Sequence, residues 1–349
     1  MRSVMAHQWA HVPSASIPRS SFDRSHGHKT TFDSGFLIPI MVDEALPGDT
    51  FNCRMTGFAR LATPIFPIMD NLFMETFFFA VPMRLLWQNW EKFNGAQDNP
   101  GDSIDFTCPQ ITETVAENTL SDYMGLPIGN PVTFNAFWHR AYNLIWAEWF
   151  RSQDLQNSPA INIGDGPDDP ADYKLLRRGK RHDYFTSCLP WPQKGGNPVT
   201  VPLGSEAPVF TDATVSGVIS VGVGAGSGSI NLMDSSTSNL TVGSTTGSAG
   251  TQLKADLNAA TSATINQLRQ AFQIQKLLER DARGGTRYTE IIRSHFNVVS
   301  PDHRLQRPEY LGGGSSPIII SPIAQTSASG FDQGPTSLTP KAEIGRASC

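Results

Sequence analysis

The stretch FMETFFFAV, Phe73 to Val81, has the strongest strand pattern in the chain. Its apolar residues fall on both alternating faces, so it predicts a β-strand that is buried on both sides. It ends a region, residues 35–80, in which short apolar runs alternate with Pro, Gly and Asp. Such punctuation is typical of the turns between short strands. We therefore predict a mainly β fold with helical insertions, an α+β class.

The composition favours a turn-rich protein that hides apolar surface by association. The 349 residues include 30 Gly and 25 Pro, which disfavours a helical bundle, and 20 Phe against a charged fraction of only 17%. A chain with so few charges has apolar surface to cover, and assembly with other chains is one way to cover it. The net charge of −5 excludes condensation of nucleic acid through bulk charge.

Compartment signals are few. The longest apolar run, residues 36–42, is far shorter than the about 18 residues of a transmembrane helix, which excludes membrane insertion. The N-terminus lacks the apolar stretch and cleavage site of a secretory signal. The cysteines form no CxxC pair, so we expect reduced thiols in a cytosolic compartment, with no disulfide framework and no zinc site. They are Cys53, Cys108, Cys188 and Cys349.

Four helices are predicted. The first runs from Arg84 to Phe93 behind Pro82 and ends at Asn94–Gly95. The second begins at Asn130–Pro131, and its large residues recur every three or four positions, which predicts one face packed in the core. That face comprises Phe134, Phe137, Trp138, Ala141, Ile145 and Trp149.

The remaining two helices lie in the last third of the chain. The third spans Ala263 to Ala282 and stops before Gly284–Gly285. The fourth is short, and one side of it carries Tyr288, Ile291, Ile292 and His295.

Two segments differ from the rest in composition. Residues 1–34 form a polar, extended arm whose bases are candidates for contacts with DNA phosphates, although an arm that only drapes over neighbouring subunits fits equally well. These bases are Arg2, Arg19, Arg24 and Lys29. Residues 203–252 are rich in Gly, Ser and Thr and cannot build a core, but VSGVISVGV keeps a period of two, so we predict an exposed hairpin or loop excursion.

No catalytic template fits the sequence. VGVGAGSGS contains no GxGxxG, and HQWAH lacks the glutamate of a zinc protease. The acidic stretch GDGPDDPADY, Gly164 to Tyr173, fails the register of a calcium loop and is interpreted as a surface turn. The basic run RRGKRH, Arg177 to His182, is a solvated face, a partner salt bridge or a phosphate contact. We predict a protein that is not an enzyme, without catalytic residues, metal or cofactor.

Several long segments, in order, resemble the major capsid proteins of gokushovirus-type microviruses, which are small single-stranded DNA bacteriophages. The resemblance runs from about residue 4 to about residue 330 and lapses only in the Gly/Ser/Thr-rich segment. The segments are LPGDTF (46–51), FARLATPIFPIMDN (58–71), FFFAVPMRLLWQNWEKF (77–93), LPWPQKG (189–195), INQLRQAFQIQKLLERDARGGTRYTEIIRSHFNVVSPDHRLQRPEYLGGG (265–314) and PIAQTSA (322–328).

The resemblance implies a viral eight-stranded antiparallel jelly roll with long inter-strand loops, packed as sixty copies in a T=1 icosahedral shell around a circular single-stranded DNA genome. It further implies assembly in the bacterial cytoplasm and a place in the virion. Family chains continue beyond the QTSA segment, so we expect a barrel that is incomplete at the C-terminus. The last seven residues, Glu343 to Cys349, match a reading frame of a common sequencing-library adapter, and we expect a non-native tail.

The expected organisation is an N-terminal arm (1–34), jelly-roll strands with helical insertions (35–202), a surface insertion (203–252), a helical segment with continuing capsid core (253–342) and the tail (343–349). The resemblance implies that the surface insertion forms a protrusion for host attachment. We represent it by Leu203, Phe210, Gly226, Asn239 and Gln252.

The partners that the resemblance implies are further copies of the chain, an internal scaffolding protein, a DNA pilot protein, a small basic DNA-binding protein, single-stranded DNA and a bacterial host receptor. One alternative from another class stays open, a carbohydrate-binding or glycan-active jelly-roll protein, because such proteins also combine Trp residues with Gly-rich loops.

Overall fold

The computed structural model describes residues 16–61, 69–103, 105–179, 264–324 and 338–344, most of 181–200, and short stretches at 209–211, 221–222, 229–230 and 253–255. The chain divides into two compact units. The first unit comprises residues 1–180 and 302–349, and the second comprises residues 181–301.

The main sheet of the first unit has three antiparallel strands in the order β1 (Leu72–Ala80), β8 (Glu309–Ala324) and β9 (Leu338–Ile344). β1 and β8 pair from Leu72 opposite Ile318 to Ala80 opposite Glu309, with an irregularity between Phe78 and Phe79. A glycine run lets the two backbones approach closely, because a Cβ atom on Gly313 would overlap the carbonyl oxygen of Thr76.

The strand predicted from FMETFFFAV is confirmed, but its predicted burial on both faces holds only in part. Thr76 is buried, whereas Phe73 is 43% exposed. The aromatic cover begins further along the strand, where Phe77 and Phe79 contact Phe150 at ring-centroid distances of 5.1 and 6.0 Å. Within this strand only Thr76 is buried, and the other residues apart from Phe73 are half-buried.

The predicted second helix begins later than expected. Residues Pro131–Asn135 form strand β3, which pairs with β2 (Gln110–Thr114) through a hydrogen bond between the Thr112 and Thr133 hydroxyls at 2.9 Å. The prediction was wrong because the β-branched pair Val132 and Thr133 favours a strand over the first helical turn. Helix α3 (Phe137–Ile145) follows, continued by a π-turn (Trp146–Phe150). Its predicted core packing is confirmed, since Phe137 and Ala141 lie in one hydrophobic cluster and Trp138 packs against another.

The predicted first helix is divided into a 3₁₀ turn (Met83–Leu85) and a short helix α1 (Trp90–Phe93). The division occurs where Trp87 is fully buried and the backbone N–H of Gln88 donates to the carbonyl of Ile163 at 2.9 Å. This long-range bond replaces a helical one. A further short helix, α2 (Leu120–Tyr123), is capped by Thr119, and a 3₁₀ turn (Pro170–Asp172) is capped by Asp169.

In residues 16–61 the structure contains one isolated bridge, between Phe36 and Arg177, and no strand. The strands predicted there are therefore absent from the described residues. An extended segment becomes a strand only beside a partner of regular hydrogen bonds, and here the N–H of Leu37 reaches the carbonyl of Leu176 while Pro39 has no N–H to offer.

The second unit contains helices α4 (Ile265–Gly284) and α5 (Tyr288–Phe296), as predicted. Thr264 and Gln267 form a capping box at the start of α4. The two helices are joined by Asp281 and His295, whose oxygen and ring nitrogen lie 2.5 Å apart, and by Arg280, which donates to the carbonyl of Ser294 at 3.0 Å.

Two short ladders also lie in the second unit. β4 (Val209–Thr211) pairs with β7 (Leu253–Ala255), and β5 (Val221–Gly222) pairs with β6 (Ser229–Ile230). The described residues thus combine strands and helices, and their strands do not form an eight-stranded jelly roll. None of the described helices has the length and apolar character needed to cross a bilayer.

Candidate assembly and attachment surfaces

A buried ion pair organises the first unit. Arg140 of α3 donates from Nε and Nη2 to the two carboxylate oxygens of Asp168 at 2.7 and 2.6 Å, and both side chains are at most 4% exposed. The Tyr173 hydroxyl donates to Asp168 at 2.5 Å. Burial opposes ionisation of Asp168, but the hydrogen bonds from Arg140 and Tyr173 outweigh it and lower its pKa.

The interpretation of Gly164 to Tyr173 as a surface turn was therefore wrong for Asp168. α3 places a guanidinium inside the unit, and a buried guanidinium requires a carboxylate partner. Arg140 also donates to the carbonyl of Leu86 at 2.8 Å. The segment of residues 161–172, called the acidic segment below, is thus bound both to α3 and to the region around Trp87.

A second buried polar group joins β2, α2 and α3. His139 is 1% exposed, and its Nε2 lies 3.0 Å from the hydroxyl of Ser121, which donates to Glu113 at 2.6 Å. Burial lowers the pKa of His139 to about 4. In a hydrolytic triad the carboxylate contacts the histidine, whereas here the carboxylate of Glu113 contacts the serine. The arrangement therefore differs from a triad and connects β2, α2 and α3 through hydrogen bonds.

The acidic segment forms an open concavity of about 480 Å³. Its lining consists of residues 161–169 and Asp172. Ile161 and Ile163 belong to its lining and are 41% and 45% exposed, while the lining as a whole is mainly polar. Asp165 accepts hydrogen bonds from Trp87 and Asn89 at 2.6 and 2.7 Å, and these bonds lower its pKa. We call this surface the acidic concavity. Across the described residues, no three His, Cys, Asp or Glu side chains are grouped as a metal would require.

Among the residues whose exposure the structure describes, α4 carries more exposed large apolar side chains than any other helix or strand. Ile265, Leu268 and Phe272 are 68%, 40% and 65% exposed, and their spacing places them on one side of the helix. Arg269 and Lys276 fall on the same side by the same spacing and are exposed. We call these five residues the outward face of α4. The spacing of these residues is visible in the sequence and predicts that they share a face. The sequence analysis predicted the helix but not that this face is exposed.

The N-terminal arm is attached to its own chain by two of its predicted DNA-contacting bases. Arg19 donates to the carbonyl of Gly48, and Arg24 pairs with Asp43 at 2.6 Å. Lys29 is exposed and forms no ion pair with another described residue, and Arg2 lies outside the described residues. The two bases with contacts, Arg19 and Arg24, are thus held by different partners, Gly48 and Asp43.

The basic run Arg177 to His182 begins as a structural element. Arg177 lies over the Phe36 ring at 4.4 Å, and Arg178 forms an ion pair with Glu75 of β1. Within the rest of the run, Lys180 and His182 lie outside the described residues. Arg177 and Arg178 thus form contacts within their own chain.

Of the residues chosen for the surface insertion, the backbone of Phe210 lies in β4. The others, Leu203, Gly226, Asn239 and Gln252, lie outside the described residues. The β4–β7 pairing opposes Thr211 to Leu253, so residues 212–252 leave and return at one place. A carbohydrate surface is not supported by Trp87 or Trp146, because both rings are buried and cannot stack on a sugar.

Comparison with known proteins gives a consistent result. The family described as "Capsid protein (F protein)" matches residues 10–343. Capsid protein VP1 of Bdellovibrio phage phiMH2K is 48% identical over 346 residues, covering 93% of this chain and 64% of that protein. Capsid protein VP1 of Chlamydia phage 1 is 38% identical over 401 residues, covering 93% of this chain and 67% of that protein.

Capsid protein VP1 of Spiroplasma virus 4 is 33% identical over 359 residues, covering 93% of this chain and 64% of that protein. The chain thus spans roughly two thirds of the length of the curated relatives it matches. The resemblance to gokushovirus-type capsid proteins is confirmed: the chain belongs to the phage capsid protein (F protein) family.

Proposed function

We propose that this chain supplies most of a major capsid protein whose copies assemble into a closed T=1 icosahedral shell around circular single-stranded DNA. The observation that carries the proposal is the family match over residues 10–343. The exposed apolar residues of α4 support it, because a soluble monomer gains nothing from leaving Ile265 and Phe272 in water. The role is structural and not enzymatic, and the protein's location is the virion, after assembly in the bacterial cytoplasm.

The assembly proposal is tested in a full-length context. We would transplant this chain's matching segment into VP1 of Bdellovibrio phage phiMH2K, express the chimaera in bacteria with the phage's other virion proteins, and sediment the lysate. We expect particles of megadalton mass by negative-stain microscopy. A chimaera that stays a small, soluble oligomer while unmodified VP1 forms particles would contradict the proposal.

In the complete protein we propose that the arm (1–34), the core (35–202 and 253–342) and the surface insertion (203–252) belong to an eight-stranded jelly roll with long loops. β1 and β8 support this, since they are long antiparallel strands distant in sequence, as jelly-roll neighbours are. The proposed partners are the internal scaffolding protein, the DNA pilot protein and the small basic DNA-binding protein of the same phage.

We also propose that the arm's bases contact genome phosphates. Arg24 remains 66% exposed beside Asp43, so its guanidinium has donors left for a phosphate. Replacing Arg2, Arg19, Arg24 and Lys29 by Gln should lower DNase-protected DNA per particle and leave particle yield unchanged. As a matched control, Arg293→Gln removes an exposed base of α5 and should change neither quantity. Unchanged DNA content in the fourfold variant would contradict the DNA role.

Host attachment through the surface insertion is the last part of the proposal. The pairing of Thr211 with Leu253 makes this part testable, because residues 212–252 can be replaced by a short Gly/Ser turn without moving their flanks. We expect such particles to assemble but not to adsorb to host cells. As a control, shortening only the link between Gly222 and Ser229 should have a smaller effect. Loss of assembly would assign the segment to the shell, and normal adsorption would contradict a receptor role.

A further inference from the structure

We propose that the outward face of α4 in one copy docks in the acidic concavity of a neighbouring copy. The inference rests on the proposed self-assembly and adds to it a specific pair of surfaces. Both surfaces belong to this chain, so every copy can bind one neighbour through its outward face of α4 and another neighbour through its acidic concavity. Such a head-to-tail contact closes into a ring when the rotation between copies divides a full turn.

The helix contributes an apolar stripe bordered by two positive charges. Ile265, Leu268 and Phe272 share one side of α4 with Arg269 and Lys276, and neither base forms an ion pair with another described residue. The last turns of α4 are used within the second unit, where Asp281 bonds to His295 and Ala282 is buried. The outward face lies mainly before these turns, and its five residues are exposed.

The acidic concavity has the complementary chemistry. Its mainly polar lining includes Asp165, Asp169 and Asp172 and no Lys, Arg or His, and Ile161 and Ile163 of the same segment are partly exposed. The fourth aspartate, Asp168, is neutralised by Arg140 and holds the segment in place. A surface with exposed carboxylates beside two partly exposed isoleucines complements a face that carries Arg269 and Lys276 beside apolar side chains.

The residue types favour a protein partner over nucleic acid. The outward face has three exposed apolar side chains and two basic side chains. A protein surface that binds nucleic acid is instead dominated by Lys and Arg and by aromatic rings that stack on nucleobases. Two copies of the same face would also place Arg269 and Lys276 near their own symmetry mates, which like-charge repulsion disfavours. The acidic concavity of a second copy avoids that repulsion.

The size of the contact suits a shell. The face from Ile265 to Lys276 is about 17 Å long at 1.5 Å per residue. It covers less than the about 800 Å² that each partner contributes to a standard interface. Such a contact is weak alone, and a closed particle multiplies it over all its copies.

The test is cross-linking between chains of different variants. The full chain is produced with Cys53, Cys188 and Cys349 changed to Ser, once with Phe272→Cys and once with Ile163→Cys. The two proteins are mixed and treated with a short bismaleimide. We expect a covalent dimer in the mixture at least fivefold above that in either variant alone, because only the mixture pairs the two surfaces.

The control is Ile274→Cys, which lies on the other side of α4 and is 42% exposed. Mixed with Ile163→Cys, it should give no dimer above background. Equal yields with Phe272→Cys and Ile274→Cys would overturn the proposal, and so would no dimer at all. The assay needs no particles, so a chimaera that fails to form shells while this dimer appears would count against shell assembly and not against this contact.

A charge exchange adds a second, independent readout in the chimaeric VP1. Lys276→Glu and Asp169→Lys should each lower particle yield at least fivefold, and the two together should restore it to within twofold. Arg293→Glu makes the same change of charge on α5 and should have no effect. A double variant that assembles no better than the worse single variant would overturn the pairing of these surfaces.

Discussion

Helices α3 and α4 carry large apolar residues at similar spacing and have opposite surroundings. Phe137 of α3 is 6% exposed and packs with Leu86 and Trp87, whereas Phe272 of α4 is 65% exposed. Around α3 the chain supplies its own cover, because the acidic segment returns over the helix and Asp168 binds Arg140. The spacing of apolar residues therefore shows which of them share a helix face. Whether that face is buried depends on the rest of the chain or on another chain.

The largest effect on the free energy of unfolding is expected from the buried ion pair that holds the acidic segment against α3. Asp168→Asn leaves the Arg140 guanidinium buried without a charged partner, which should lower the free energy of unfolding by about 3–5 kcal/mol. Chemical denaturation followed by tryptophan fluorescence measures it. Asp169→Asn is the matched control, since Asp169 is exposed and caps a single turn, a role that Asn fills about as well, and it should cost less than about 0.5 kcal/mol. Equal losses in the two variants would contradict a special role for the buried pair.

The two phenylalanines test the comparison itself. Phe137→Ala should lower the free energy of unfolding by about 3–5 kcal/mol, because it removes a buried ring from a packed cluster. Phe272→Ala should change it by less than about 0.5 kcal/mol, because its ring is already in water. Denaturation of both variants at a concentration that keeps the chain monomeric gives the result. A large loss in Phe272→Ala would mean that α4 is covered within its own chain.

Acidification should weaken the α3 region in a defined window. Burial lowers the folded-state pKa of His139 to about 4 from 6.5, so between these values the unfolded chain binds a proton that the folded chain does not. Stability should therefore fall as the pH drops from 6.5 toward 4, by at most about 3 kcal/mol from this residue. Measured at pH 7 and pH 4.5, His139→Gln should lose less stability between the two than the unchanged chain. Identical losses would exclude His139 as the cause.

The sequence predicted elements with strong local signals. The predicted third helix and the strand predicted from FMETFFFAV are confirmed, and both elements are decided within a few neighbours, the helix start by the capping box of Thr264 and Gln267. The break at Trp87 could not be predicted, because it depends on the long-range bond from Gln88 to Ile163. The late start of α3 has a local cause, the strand preference of Val132 and Thr133. The ion pair of Arg140 and Asp168 joins residues 28 apart, and local spacing carries no sign of it.

The candidate surfaces were predicted unevenly for the same reason. Family motifs indicated the capsid role, since they compare the whole chain with known sequences. The fate of single charged residues was less accessible: Arg24 pairs with Asp43 and Arg178 with Glu75, partners that only the fold brings near. Exposure of Phe272 is likewise a property of the folded chain.

The central claim is that α4 is uncovered in the single chain because another copy covers it in the particle. A cryo-EM reconstruction of particles formed by the chimaeric VP1 tests it most directly. We expect density of a neighbouring copy within contact distance of Ile265, Leu268 and Phe272, with the acidic segment of residues 161–172 facing them. Particles in which these three side chains point into solvent would contradict the claim.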